Sequence, residues 1–118
     1  MKIYRGSCHC RRVKFEIRSN NIFEDIYRCD CSLCLKKAIV MKAEHKSHFN
    51  LLEGAEQLSS YKWNKMIAEH FFCQNCGVYT HHKRRRDPQQ ICINFACLDD
   101  LAMPDDANIG LADGANHD

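Results

Sequence analysis

Phe72-Cys73-Gln74-Asn75-Cys76-Gly77 is the stretch on which the rest of the chain turns. A C-x-x-C turn sets two sulfurs on one side of a single metal ion, and thiolate-bound zinc takes four tetrahedral ligands at about 2.3 Å. Gly77 follows where such a turn needs positive φ. The knuckle is half a site. The chain offers two clusters that could complete it: Cys8-His9-Cys10, and Cys29-Asp30-Cys31-Ser32-Leu33-Cys34. Either C-x-C could supply the second pair. Cys92 and Cys97 stand apart, and on an extended strand they would face opposite sides. They read as small buried apolar residues rather than shared ligands.

Nine cysteines in 118 residues would also suit a disulfide scaffold. The odd count argues against one. So does the opening MKIYRGSCHC, which lacks the apolar stretch of a secretory signal. No run approaches the roughly 18–20 apolar residues of a membrane span. The expectation is a cytoplasmic chain whose thiols stay reduced and hold metal. Seven clustered cysteines divide as four plus three. Four ligands close a structural zinc, whereas three leave a position open, as catalytic zincs do. Two readings compete: one structural zinc with spare buried thiols, or a redox pair at Cys31 and Cys34. The redox motif usually accompanies a βαβ pattern, which is not visible here.

Hydrophobic residues make up 45% and charged residues 27% of the chain, as in a soluble globular protein. The length suits one domain, 1–118, with the polar stretch 105–118 expected as a loosely ordered tail apart from its Asp113-Gly114 turn. The formal charge is +2, and seven thiolates on two zinc ions would lower it by three, to −1. Net charge therefore gives no reason to expect nucleic-acid binding. Val13, Phe15 and Ile17 alternate with charged residues, the mark of a half-buried strand. Lys2–Tyr4, Ile39–Lys42, Leu58–Trp63, Ala68–Phe72, Val78–His82 and Ile91–Ala96 are further strand candidates. Ser32–Lys37 and Gly54–Gln57 suit single helical turns. The expected fold is mainly β, built of short antiparallel strands with zinc knuckles at the turns.

His81-His82-Lys83-Arg84-Arg85-Arg86 is the strongest charge cluster. It reads as a solvated hairpin tip before Asp87-Pro88, or as an anion site. No aromatic interleaves it, so a small anion fits better than a nucleic acid. Lys83, Arg84, Arg85 and His70 are the candidate substrate contacts. His70 could instead be a buried strand histidine, or a hydrogen-bond donor to a zinc thiolate. His9 should point away from the metal. His45 and His48 could add a fourth ligand, but a solvated loop is the simpler expectation. Tyr61, Trp63, Phe71 and Phe72 are expected in the core, or else as pocket walls.

Gly6-Ser7-Cys8-His9-Cys10 with Val13 and Phe15 resembles the opening of the glutathione-dependent formaldehyde-activating enzyme family, which is grouped with the centromere protein V domain. Cys29-Asp30-Cys31-Ser32-Leu33-Cys34 resembles the family's central block. Tyr61-Lys62-Trp63-Asn64 and His70 through Gly77 resemble its third. Cys97-Leu98-Asp99 and Asp113-Gly114-Ala115-Asn116 also fit. The resemblance implies a zinc-binding β-tent. It implies that Cys8, Cys10, Cys73 and Cys76 share a closed zinc, and that Cys29, Cys31 and Cys34 hold a second, more labile one. It implies a carbon–sulfur lyase activity in which glutathione or a similar thiol combines with formaldehyde. The alternative is a non-catalytic zinc module that binds a protein or nucleic-acid partner. One departure is Arg11, where the family usually carries glycine; a bulky side chain there is expected to alter the turn or the nearby surface.

Overall fold

Val13, Phe15 and Ile17 are fully buried while Lys14, Glu16 and Arg18 are not, so the alternation in the sequence becomes a two-faced strand. The structure is a computed structural model that describes residues 1–115. Strand β1 (Lys2–Ser7) pairs antiparallel with β2 (Lys14–Ser19), which also pairs with β5 (Phe49–Glu53). These three form the smaller sheet.

The larger sheet has seven strands. They are β3 (Ile26–Cys29), β4 (Met41–His45), β6 (Leu58–Tyr61), β7 (Glu69–Cys73), β8 (Tyr79–Lys83), β9 (Gln90–Asn94) and β10 (Gly110–Ala112). Their spatial order is β10-β3-β4-β9-β8-β7-β6. Every pairing is antiparallel except that of β10 with β3. The architecture is mainly β, as expected. Each strand candidate from the sequence falls on an observed strand within a few residues. Strands β3, β5 and β10 were not anticipated. They are short, and Phe49-Asn50-Leu51-Leu52-Glu53 sets two leucines side by side, which masks its alternation.

Helix α1 (Ser32–Lys37) is the expected single turn. Cys31 caps it, with its sulfur accepting from the Cys34 N–H at 3.3 Å. Ala38 closes it in the left-handed region, its N–H bonding the Cys34 carbonyl at 2.9 Å. Short 3-10 turns occupy Lys46–His48, Ala55–Gln57, Phe95–Cys97 and Asp106–Asn108.

The stretch expected as a loose tail carries the last of these turns and strand β10. An Arg28–Asp106 ion pair at 3.3 Å and an Asp30 N–H bond to the Ala112 carbonyl at 3.2 Å tie it to β3. Backbone pairing rather than an apolar pattern orders this segment, so composition concealed it. Residues 116–118, the end of that stretch, lie outside the described residues, and Asn116 of the late motif with them.

Phe15 and Ile17 from β2 join Ile26, Val40, Ile93, Phe95, Cys97 and Leu98 in the main core. That core ties the small sheet to one face of the large one; Phe15 stacks on Phe49 at 5.5 Å. The opposite face of the large sheet carries the site described next. The radius of gyration, 13.3 Å, matches the ~13.5 Å of one compact body this long. Among the described residues no helix is long and apolar enough to cross a membrane.

Candidate metal centres and their cavity

Cys8 and Cys10 lie in the turn after β1. Cys73 ends β7, and Cys76 lies in the turn to β8. The fold brings all four sulfurs within 4.8 Å of one another. Cys8 to Cys10 is 3.6 Å and Cys10 to Cys73 is 3.7 Å. A tetrahedron with metal–sulfur bonds of about 2.3 Å has edges of about 3.8 Å, so the spacing fits a tetrahedral metal. None of the nine cysteines forms a disulfide. Gly77 takes φ 76°, and its N–H bonds the Cys73 carbonyl at 2.8 Å. Val13, Leu51, Leu58 and Val78 wrap the cluster in apolar surface. That burial pushes the Cys8 thiol up to about 11. A side-chain hydrogen bond from Asn75 and a backbone bond from Arg12 bring Cys10 down to about 6. Arg11 closes the turn from the left-handed region: it adopts φ 67° and its N–H reaches the Cys8 carbonyl at 3.2 Å. The cost of keeping that shape falls on the arginine backbone.

Cys29 ends β3, Cys31 caps α1 and Cys34 sits in its first turn. Their sulfurs also lie within 4.8 Å of one another. A hydrogen bond from Cys34 brings the Cys29 thiol down to about 5. The same bond, with burial, pushes Cys34 far up. The loop after β10 lies directly on this triplet. A Cβ on Gly114 would stand 2.2 Å from the Cys29 sulfur and 2.9 Å from the Cys31 Cβ, so only glycine fits. The loop is pinned at both sides: Ala115 N–H to the Asp30 carboxylate at 2.8 Å, and Arg86 to the Asp113 carbonyl at 3.1 Å. His45 and His48 add no ligand here. His45 accepts from the Ser47 N–H at 3.1 Å, and His48 pairs with Glu44 at 2.9 Å.

The triplet opens into a cavity whose other walls include Trp63, Ala68, His70, His82, Arg84, Arg85 and Arg86. Strand alternation sorts the basic run of the sequence. His82 and Arg84 face the cavity. His81 faces away, its ring 4.7 Å from that of Phe49 and 4.6 Å from that of Phe71. Lys83 also faces away, 3.7 Å from Glu69 and over the Phe71 ring, so it is not a cavity residue as expected. Nor is the whole run a solvated tip: His81 and His82 are only 5% and 6% exposed. Arg84 is fixed by Gln90 at 2.5 Å and lies over the Tyr27 ring. Of the four aromatic residues expected in the core, Trp63 is a cavity wall and Tyr61 is 49% exposed, while Phe71 and Phe72 are half-buried.

His70 is buried, lines the cavity, and has its Nδ1 3.3 Å from the Tyr79 hydroxyl. Burial and the Lys37 ammonium bring it down to about 4. Cys92 and Cys97 are buried in separate clusters, Cys92 beside the Tyr27 hydroxyl at 2.9 Å and Cys97 in the main core. They share no site.

Sequence reasoning missed Tyr27, Lys37 and Tyr79. Lys37 follows Cys34 by three residues on α1, a spacing that sets both on one face; its ammonium lies 4.5 Å from the Tyr79 ring centre. Tyr79 was concealed by a bulge. Phe71 pairs with His81 but Phe72 with Tyr79, so the extra residue, Thr80, shifts Tyr79 onto the face of His82.

A family model for the glutathione-dependent formaldehyde-activating enzyme matches residues 3–110. A crystal structure of a Rhodobacter sphaeroides protein is similar throughout, with a TM-score of 0.85 and 35% identity. That match covers 92% of this chain and 99% of the other. Both clusters of thiols lie within the matched span, on a fold shared with a protein of clear sequence similarity. The chain belongs to the glutathione-dependent formaldehyde-activating enzyme family.

Proposed function

We propose that this protein binds two zinc ions and acts as a carbon–sulfur lyase, forming or cleaving the S-hydroxymethyl adduct of glutathione or a similar carboxylate-bearing thiol. The observation that carries this is a juxtaposition: three convergent thiols and three arginines wall one cavity. Cys8, Cys10, Cys73 and Cys76 would hold a closed, structural zinc. Cys29, Cys31 and Cys34 would hold the second. Zinc on three thiolates would offer one open position, suited to a soft sulfur ligand whose proton it would make easier to remove.

The chain's own groups do the rest. Arg84, Arg85 and Arg86 offer planar donors to the carboxylates of the thiol. Arg84 is held in place beforehand by Gln90 and Tyr27, which lowers the ordering cost of binding. Trp63 and Ala68 supply the apolar wall for the peptide portion. Gly114 lets the C-terminal loop approach the triplet without filling it. In the forward direction the thiol sulfur bonds to the aldehyde carbon, the carbonyl π pair moves to oxygen, and the thiol proton ends on that oxygen. The reverse breaks the C–S bond. The concave setting of the arginines favours a small anion over an extended nucleic acid.

Thiols add to formaldehyde unaided, so the test must be a rate. Exchange spectroscopy by NMR on glutathione and formaldehyde at equilibrium measures interconversion with the adduct. Zinc-loaded protein should raise that rate above the buffer value in proportion to its concentration. A rate equal to the protein-free control overturns the lyase assignment.

A further inference from the structure

Tyr79, His70 and His82 form a hydrogen-bonded chain beside the triplet, outside both groups of thiols. The Tyr79 hydroxyl lies 3.3 Å from His70 Nδ1 and also hydrogen-bonds His82 Nδ1. The two histidines are directly opposite each other in the β7–β8 register, and their rings stack at 4.9 Å. Both line the cavity that holds Cys29, Cys31 and Cys34. All three side chains are buried, at 5%, 5% and 6% exposure for Tyr79, His70 and His82.

The stoichiometry of this chain fixes its polarity. A hydroxyl has one proton. Tyr79 can donate to one imidazole only, so the other must donate its Nδ1 proton to the Tyr79 oxygen. Burial, reinforced by the Lys37 ammonium, holds both rings uncharged near neutral pH. The rings therefore carry opposite tautomers. With both Nδ1 atoms turned to Tyr79, one ring has a protonated Nε2 and the other a bare one.

We propose that His70, Tyr79 and His82 are a proton relay that carries the thiol proton to the aldehyde oxygen as the C–S bond forms. The relay rests on the thiol–aldehyde function proposed above. The bare Nε2 of one ring takes up the proton that leaves sulfur. That ring passes its Nδ1 proton to the Tyr79 oxygen, Tyr79 passes its own to the second ring, and the second ring gives up its Nε2 proton to the alkoxide. Each group gains one proton and loses one. The rings exchange tautomers, and no net charge is left in a poorly solvated site, where it would cost most. The reverse direction runs the same transfers backwards; between forward turnovers the pair resets by the same path, one Nε2 giving its proton to solvent in the cavity and the other taking one from it.

The test uses the zinc-loaded protein and two variants, Tyr79→Phe and His70→Gln. Glutamine can still bond Tyr79 but cannot accept one proton while releasing another. Nitrogen–proton correlation spectra of isotope-labelled protein read the tautomers directly. The wild type should show one Nδ1–H and one Nε2–H imidazole, and Tyr79→Phe should remove that opposition. Both variants should lose about 100-fold of the rate enhancement, while glutathione affinity and zinc content stay as in the wild type. Identical tautomers in the wild-type rings overturn the relay. So does an unchanged rate in His70→Gln, which decides the matter if Tyr79→Phe does not fold. A wild type no faster than buffer sinks the lyase function and the relay with it. Relay failure alone is distinct: an active wild type with equally active variants.

Discussion

Arg11 concentrates the residue-scale physics. Its φ of 67° is the region where a Cβ costs an L-residue about 1–2 kcal/mol. Glycine would avoid that cost but lose about 0.5–1 kcal/mol through its freer unfolded chain. Arg11→Gly is therefore expected to stabilise the protein by roughly 0.5–1 kcal/mol and raise the melting temperature by a few degrees. Scanning calorimetry at equal zinc content checks this, and a lowered melting temperature would contradict it. The sequence pointed to this position through its departure from the family, but not to the left-handed backbone, which emerges only when Arg11 closes a turn onto Cys8. Gly114 is the reverse case. Its place in an Asp-Gly turn was legible; its contact with Cys29, 85 positions away along the chain, was not. The seven clustered cysteines were legible as three local clusters because ligand spacing is local. Which pair completes the knuckle at Cys73 and Cys76 is a long-range fact, supplied here by the β1 turn meeting the β7–β8 turn.

Strand β8 shows what alternation can and cannot foretell at the scale of an element. From His81 onward the period-2 rule sorts the basic run correctly: His82 and Arg84 to the cavity, His81 and Lys83 to the other side. Before His81 the bulge at Thr80 reverses the rule, and Tyr79 changes face. Strand β10 was illegible for a different reason, because an edge strand of three residues is made by backbone pairing. The buried histidines of β7 and β8 also set a pH dependence. Burial brings His70 and His81 down to about 4 and His82 well below its ordinary value. The unfolded chain takes up these protons near pH 6.5, whereas folded His70 and His81 resist until about pH 4. Stability is thus highest above about 6.5 and falls as pH drops towards 4, by up to about 1.4 kcal/mol per unit for each histidine. Denaturant titrations of wild type and His81→Phe across this window should differ in slope by about one proton. Parallel slopes would contradict this.

At the scale of the molecule, the four-thiol cluster holds the small sheet's β1–β2 turn to the large sheet's β7–β8 turn. The three-thiol cluster sits on the outer face, packed in a small apolar group with Met41, Ala43, Cys92, Tyr27 and Ile39. Their loss should have unequal consequences. Structural zinc contributes about 10–16 kcal/mol of folding free energy, against a total stability of about 5–15 kcal/mol. Cys73→Ser is expected to unfold the chain, seen as loss of the β signal in circular dichroism. Cys34→Ser should keep that signal and lose only one zinc by elemental analysis. Equal damage from both substitutions would contradict the division of roles.

The central claim is that the triplet is where a thiol binds, and a calorimetric titration tests it most directly. Reduced glutathione is titrated into the zinc-loaded wild type and into Cys34→Ser carrying its one remaining zinc. The account predicts saturable binding at one site per chain in the wild type and none in the variant. No binding to wild type with both zincs present, or equal binding to the variant, would contradict it.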